Sequence, residues 1–270
     1  MDLRLHDSRA FVAGASSGLG RAIARQLLLE GCQVAICSRT TERLSSAKRW
    51  LMAETGCPAE RVVAIACDVT KEEDIDAALT DASRQMGCLD LIVTNAGGPR
   101  TGQIDDLTAE DWRGGLELNL MSTINLSRAA LQHLRAARQA GRHASILMIS
   151  SLSAKQPIQS LYLSNVARAG VQGFAKSLSE ELGAEGITVN SILPGYTRTD
   201  RLSHLSESLN ERTGRSIEDI EAGWAANSAL KRIGTEDEFA AAATFLLSPR
   251  AGFITGQALV VDGGAVKSLL

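Results

Sequence analysis

Three glycines, spaced Gly14-x-x-x-Gly18-x-Gly20 and interleaved with Ser16, Ser17 and Leu19, carry the plainest chemical signal in this chain. Glycine lets the backbone turn tightly and bring its N–H groups against a pyrophosphate, with no Cβ in the way. Further groups of small and polar residues recur downstream: Asn95-Ala96-Gly97-Gly98, Ser150-Ser151, and Pro194-Gly195 followed by Thr197 and Thr199. Their amides and hydroxyls suit the binding of phosphate, hydroxyl and carbonyl oxygens.

The elements around the glycines decide how much weight they bear. An apolar run at 10–13 precedes them. A helical pattern follows, with Leu19, Ile23 and Leu27 on one face and Gly31 as a C-terminal stop. A second strand is expected at 33–37. The result is a β-turn-α-β unit of about thirty residues, the size of a mononucleotide-binding half.

Strand and helix patterns then alternate to the end. Strands are expected at 61–67, 89–94, 145–150, 187–193 and 258–261, and helices at 71–86, from 108 towards 134, at 164–182 and at 237–247. Thr108 with Asp111, and Thr235 with Glu238, read as capping boxes. No Pro- or Ser-rich linker divides the chain. This alternation predicts an α/β fold, a doubly wound parallel sheet with helices on both faces in one domain. In such sheets ligands bind beyond the carboxyl ends of the strands, so the polar groups above should converge on one edge. One stretch, 199–231, breaks the rhythm with polar, helix-prone sequence containing Leu202, Leu205, Leu209, Ile217 and Ile220. A connection of that length suits a lid over a site, with a surface excursion or an oligomer contact as the alternative.

Bulk properties narrow the function classes. The 270 residues are 44% apolar, enough for a sizeable core, and the formal net charge of −3 argues against a nucleic-acid binder. No apolar run reaches membrane-spanning length, and the charged start MDLRLHDSR lacks a signal-peptide core. The five cysteines show no C-x-x-C spacing and the four histidines no H-x-x-x-H arrangement, so no metal site is expected. A cytoplasmic protein of a reducing compartment is the expectation.

Over nearly its whole length the chain resembles the short-chain dehydrogenase/reductase family. The glycine loop, Asp68-Val69, Asn95-Ala96-Gly97, Asn119, Ile149-Ser150-Ser151, Pro194-Gly195 with Thr199, and Ile254-Thr255-Gly256 leading to Val261-Asp262-Gly263-Gly264 carry the likeness. The resemblance implies a seven-stranded Rossmann sheet, assembly into homodimers or homotetramers, and hydride transfer between NAD(P) and a small carbonyl or alcohol. It places the cofactor on Gly14, Ser16, Ser17, Gly18, Leu19 and Gly20, with Asp68 and Val69 at the adenine. Asn95, Ala96 and Gly97 would line the channel, completed by Pro194, Gly195, Thr197 and Thr199. Asp68 has a second reading as a helix cap, and Gly97 as a turn former. Ala13 and Thr94 stand where the family usually has threonine and often asparagine, changes that alter hydrogen bonds without abolishing the loop.

The form of the nicotinamide cofactor follows from charge. An NAD-preferring site places an acid after the second strand, whereas here the segment reads Cys37-Ser38-Arg39-Thr40. Arg39 can clamp a 2′-phosphate, so NADP(H) is expected over NAD(H).

The catalytic segment departs from the family. There a serine after the fifth strand is followed thirteen residues later by tyrosine, then by lysine four further on. Counted from Ser151, those positions hold Ser164 and Arg168. Tyr162 lies two residues early, about 600° before residue 168 on a helix and so about 120° out of line. Arg168 retains a charge for the nicotinamide ribose but no exchangeable proton, and Ser164 is a poor acid. Ser151 and Asn119 can still hydrogen-bond a carbonyl oxygen and a water.

Three readings stay open. The first is NADPH-dependent reduction of a ketone, such as a 3-oxoacyl thioester, with water near Ser164 as a non-standard proton donor. The second is a non-catalytic NADP(H)-binding sensor or scaffold, and the third a dehydratase or epimerase.

Overall fold

The computed structural model describes residues 1–268. Its first unit is strand β1 (Arg9–Val12), helix α1 (Gly18–Leu29) and strand β2 (Gln33–Ser38). Strand β3 (Val62–Ala66) extends the sheet beyond β2. Helix α3 (Glu72–Met86) then carries the chain back to β4 (Leu91–Thr94), which pairs with the other side of β1. Strands β5 (Ala144–Ile149), β6 (Ile187–Pro194) and β7 (Ala258–Val261) follow outward from there. The seven-stranded order is β3-β2-β1-β4-β5-β6-β7, every pairing parallel. The order reverses between β1 and β4, which opens a crevice at their carboxyl ends.

Period-two alternation builds the two cores. Ala10, Val12, Val34 and Ile36 point to one face, with α1 and α9 (Glu236–Leu247) packed over them. Phe11, Ala13, Ala35 and Cys37 point to the other, covered by α3, α5 (Ser122–Gln139) and α6 (Tyr162–Gly183). Strands buried on both faces need continuous apolar runs, and those runs are what made them legible.

Both capping boxes form: Thr108 accepts from Asp111 N–H and Thr235 from Glu238 N–H. The helix opened by Thr108 is not uniform. It runs as α4 (Ala109–Leu116), loosens into a π segment over Glu117–Met121, and resumes as α5. Helix α2 (Thr41–Thr55) lies in a stretch whose sequence shows little periodicity. Only Leu44, Ala47 and Leu51 are buried on it, too thin a stripe to stand out among charges.

The 199–231 stretch forms α7 (Asp200–Thr213) and α8 (Ile217–Asn227), separated at Gly214 in a left-handed conformation. Leu202, Ile220 and Trp224 make a small core of their own, against which Tyr196, Leu205 and Leu209 pack. No helix among the described residues is long and apolar enough to cross a membrane.

Candidate functional site

The turn between β1 and α1 shows why its glycines are there. Gly14 and Gly18 have φ of +57° and +58°, where an L side chain is strained. A Cβ on Gly20 would stand 2.6 Å from the Gly14 carbonyl oxygen and 2.9 Å from Asn95 Nδ2. The Asn95 amide itself donates to the carbonyls of Ala13 (3.2 Å) and Gly14 (3.1 Å), tying the loop to the end of β4. Ser17 occupies the N-cap of α1, yet its side chain makes no capping bond, and the first turn holds no acid. The leading N–H groups of α1 are therefore not claimed by a side-chain cap, and they carry the positive end of the helix dipole. This cradle fits the pyrophosphate of a dinucleotide.

The carboxyl ends of β1, β4, β5 and β6 do converge. They wall a cavity of about 320 Å³. From the glycine turn it takes Gly14, Ser17, Gly18 and Leu19, and from the end of β4 it takes Asn95, Ala96 and Gly97. Pro194, Gly195, Thr197 and Thr199 line it from the end of β6. Ser16 and Gly20 belong to the same turn and are not among the residues that line the cavity. Thr199 caps α7, accepting from Leu202 N–H at 3.2 Å, and its methyl lies near Gly18. Gly195 is packed so closely on Asp262 that a Cβ there would clash with it.

Three other sequence-derived residues lie outside this cavity. Arg39 is exposed at the end of β2, and Val69 packs on the second core. Asp68 does not cap α3; its carboxylate instead accepts from the Thr70 N–H (3.1 Å) and hydroxyl (2.8 Å). Burial pushes the Asp68 carboxyl up. The Thr70 bonds and the Arg39 and Lys71 charges outweigh it, so the group is held below the usual carboxylate range.

Ser151, Ser164 and Arg168 also line this cavity. Ser151 Oγ accepts from Ser153 N–H at 3.1 Å, and the hydroxyls of Ser153 and Ser164 are 3.3 Å apart. Arg168, one helical turn after Ser164 on α6, is 7% exposed and donates through Nη1 to the Ile149 carbonyl at 2.8 Å. Its Nε has no partner. Burial, then the nearby charge of Arg201, push its pKa down to about 10, so it stays cationic at neutral pH.

Asn119 sits in the π segment, fully buried, and donates through Nδ2 to the Gly97 carbonyl at 2.6 Å. Its Oδ1 lacks a partner. It acts from behind the cavity wall rather than on it. Tyr162 begins α6, is 38% exposed, and is not among the residues that line the cavity.

Of the wall residues that escaped the sequence reading, Tyr196 and Arg201 bring the most chemistry. Tyr196 stacks on Trp224 with ring centroids 5.2 Å apart, and burial raises its pKa. Arg201 reaches the wall from the first turn of α7. Adjacency to Pro194-Gly195 at a strand end was the available signal for Tyr196. Arg201 had none, since it is one of many charges in a polar segment.

The model of the enoyl-(acyl carrier protein) reductase family matches residues 14–266. The chain belongs to the short-chain dehydrogenase/reductase family. It is 34% identical to the 3-oxoacyl-[acyl-carrier-protein] reductase FabG of Chlamydia muridarum, over 98% of this chain and 99% of that protein. Its structure superposes on L-sorbose reductase from Gluconobacter frateurii, solved with NADPH and L-sorbose, with a TM-score of 0.92 at 31% identity and full coverage of both chains. A short-chain oxidoreductase of Pseudomonas aeruginosa, described as containing an atypical catalytic center, matches with a TM-score of 0.86 at 33% identity. That match covers 97% of this chain and 98% of the other. Family membership accounts for the glycine cradle and for the order of the sheet.

Proposed function

We propose that this short-chain oxidoreductase reduces a ketone with NADPH, using Ser151, Ser164 and Arg168 in place of a tyrosine–lysine pair. The observation that carries the reading is that these three residues line the same cavity as the glycine cradle. When bound, NADPH supplies the hydride. The Ser151 hydroxyl donates a hydrogen bond to the carbonyl oxygen. Arg168, a buried cation with an unpartnered Nε, offsets negative charge growing on that oxygen. The Ser164–Ser153 hydroxyl pair orders a water that protonates it.

Arg39 is assigned to the 2′-phosphate and Asp68 to the adenine end. Ser16, Ser17, Leu19, Ala96, Thr197 and Thr199 surround the rest of the cofactor. Helices α7 and α8 serve as the lid, since Leu202 and Leu205 already reach the wall. A 3-oxoacyl thioester is a fitting first substrate to try, given the FabG relatives. We assign the chain to the cytoplasm and to a homodimer or homotetramer.

The test is NADPH consumption with a panel of ketones and 3-oxoacyl thioesters. Ser151→Ala should lower kcat by about 10²–10³-fold, the range for losing one such donor. Ser164→Tyr combined with Arg168→Lys should raise kcat, since it restores a positioned proton donor. Saturable NADPH binding with no turnover of any ketone would instead favour the sensor reading, which draws on the absence of tyrosine from this face of α6.

A further inference from the structure

The cavity wall carries more positive charge than the chain neutralises. Arg100 is satisfied by Asp111 at 2.8 Å. Arg168 is buried with only a carbonyl for a partner, and its Nε meets no acceptor. Arg201 reaches from α7 until its guanidinium lies against Gly98, where a Cβ would overlap it. No hydrogen bond or ion pair within the described residues engages Arg201. The charge that acts on Arg168 is Arg201 itself, another cation, and burial alone lowers the pKa of Arg201. Asp200 also lines the cavity, and among the described residues it forms no ion pair with either guanidinium. A cation in the first turn of a helix is also opposed by the dipole.

We infer that the missing negative charge belongs to the substrate: the cavity takes a ketone that bears a carboxylate, held by the Arg201 guanidinium beside Gly98. This rests on the ketone-reductase reading and narrows its substrate class. Arg201 has its own neighbour in Gly98, while the N-terminus of α1 offers its N–H groups to the cofactor phosphates. Gly98 directly follows Asn95-Ala96-Gly97, and Arg201 lines the same cavity as Ser151 and Ser164. A planar guanidinium fork matches the two oxygens of a carboxylate. Leu152, Ile158, Leu161 and Leu205 supply apolar wall for the carbon chain between the carboxylate and the ketone. Gly98 is small because any side chain there would displace the fork.

The experiment measures binding to the NADPH-loaded protein by calorimetry, followed by NADPH consumption. The probes are 2-oxobutanoate, 4-oxopentanoate and 5-oxohexanoate, each against its methyl ester. At least one acid should bind about tenfold or more tightly than its ester, the scale of a charge-assisted hydrogen bond. Arg201→Met should erase that difference and Arg201→Lys retain part of it, with unchanged melting curves and an NADPH dissociation constant within about twofold of the parent protein. Equal binding of every acid and ester by the parent protein overturns the carboxylate site. So does a drop in NADPH affinity in Arg201→Met as large as the drop for the acid, because the guanidinium then serves the cofactor. Better turnover of a 3-oxoacyl thioester than of any free acid also overturns it. Tight acid binding without consumption of NADPH leaves the carboxylate site standing and defeats the reductase reading alone.

Discussion

Arg168 illustrates how a single exchange reshapes the chemistry available at a site. Lysine can give up a proton under strong desolvation, whereas a guanidinium keeps its charge even when burial pushes it down to about 10. In the proposed mechanism this position gives electrostatic support, and proton supply falls to hydroxyls and water. Arg39 makes the complementary case at the adenine end. It is exposed and beside Asp68, whose carboxylate it helps keep charged. Replacing Arg39 with Ala should reduce kcat/KM for NADPH by about 10–100-fold, as expected for loss of a charge-assisted pair. The same change should leave the NADH value within about twofold. Equal losses with both cofactors in initial-rate measurements would remove Arg39 from the 2′-phosphate site.

Among the elements, the sheet's amino end is as deliberately built as its carboxyl end. Asp90, 1% exposed just before β4, takes two bonds from Arg142 (2.7 and 2.6 Å) and one from the Arg9 backbone N–H (2.9 Å). One carboxylate thereby joins the starts of β1 and β4 to the turn that leads into β5. Asp90→Ala takes the carboxylate from Arg142 and from the Arg9 N–H, and leaves Arg142, 31% exposed, its bond to the Asp7 carbonyl. It should destabilise the fold by about 1–3 kcal/mol in urea unfolding, the range for losing hydrogen bonds to a charged group. NADPH affinity of the folded variant should hold, because the cradle is at the opposite end of the strands. A loss below about 1 kcal/mol would show that the pair contributes little beyond a surface bridge. The π segment at Glu117–Met121 belongs to the same scale. Its extra residue per turn sets where Asn119 meets the Gly97 carbonyl, a placement that ordinary helical periodicity does not produce.

At the scale of the whole molecule, the sheet ends in β7, which among the described residues has a neighbour on one side only. Leu259 on that strand is 39% exposed, Phe253 just before it is fully exposed, and Leu230 is 62% exposed. An open edge flanked by apolar side chains invites pairing with another copy. The chain should therefore sediment as a dimer or tetramer at micromolar concentration. Leu259→Asp with Phe253→Asp should shift it towards the monomer without lowering its melting temperature by more than a few degrees. A monomeric parent protein in analytical ultracentrifugation would remove this edge as an assembly surface.

Residue order alone determined the class of fold and the cofactor cradle of this protein. Those features rest on local physics: apolar runs of strand length, capping boxes at Thr108 and Thr235, and glycines where the backbone must turn left-handed. Helix α2 stayed hidden although Leu44, Ala47 and Leu51 stand at i, i+3 and i+7, because three apolar residues make a narrow stripe among charges. Tertiary structure decided which side chains meet at the site. Tyr162 stands 38% exposed at the start of α6, while Tyr196 stacks on Trp224 and lines the cavity. Arg201 came to rest on Gly98, more than a hundred residues away along the chain. Contacts of that separation depend on how α7 and the end of β4 pack against each other, and no periodicity within either segment encodes the angle between them.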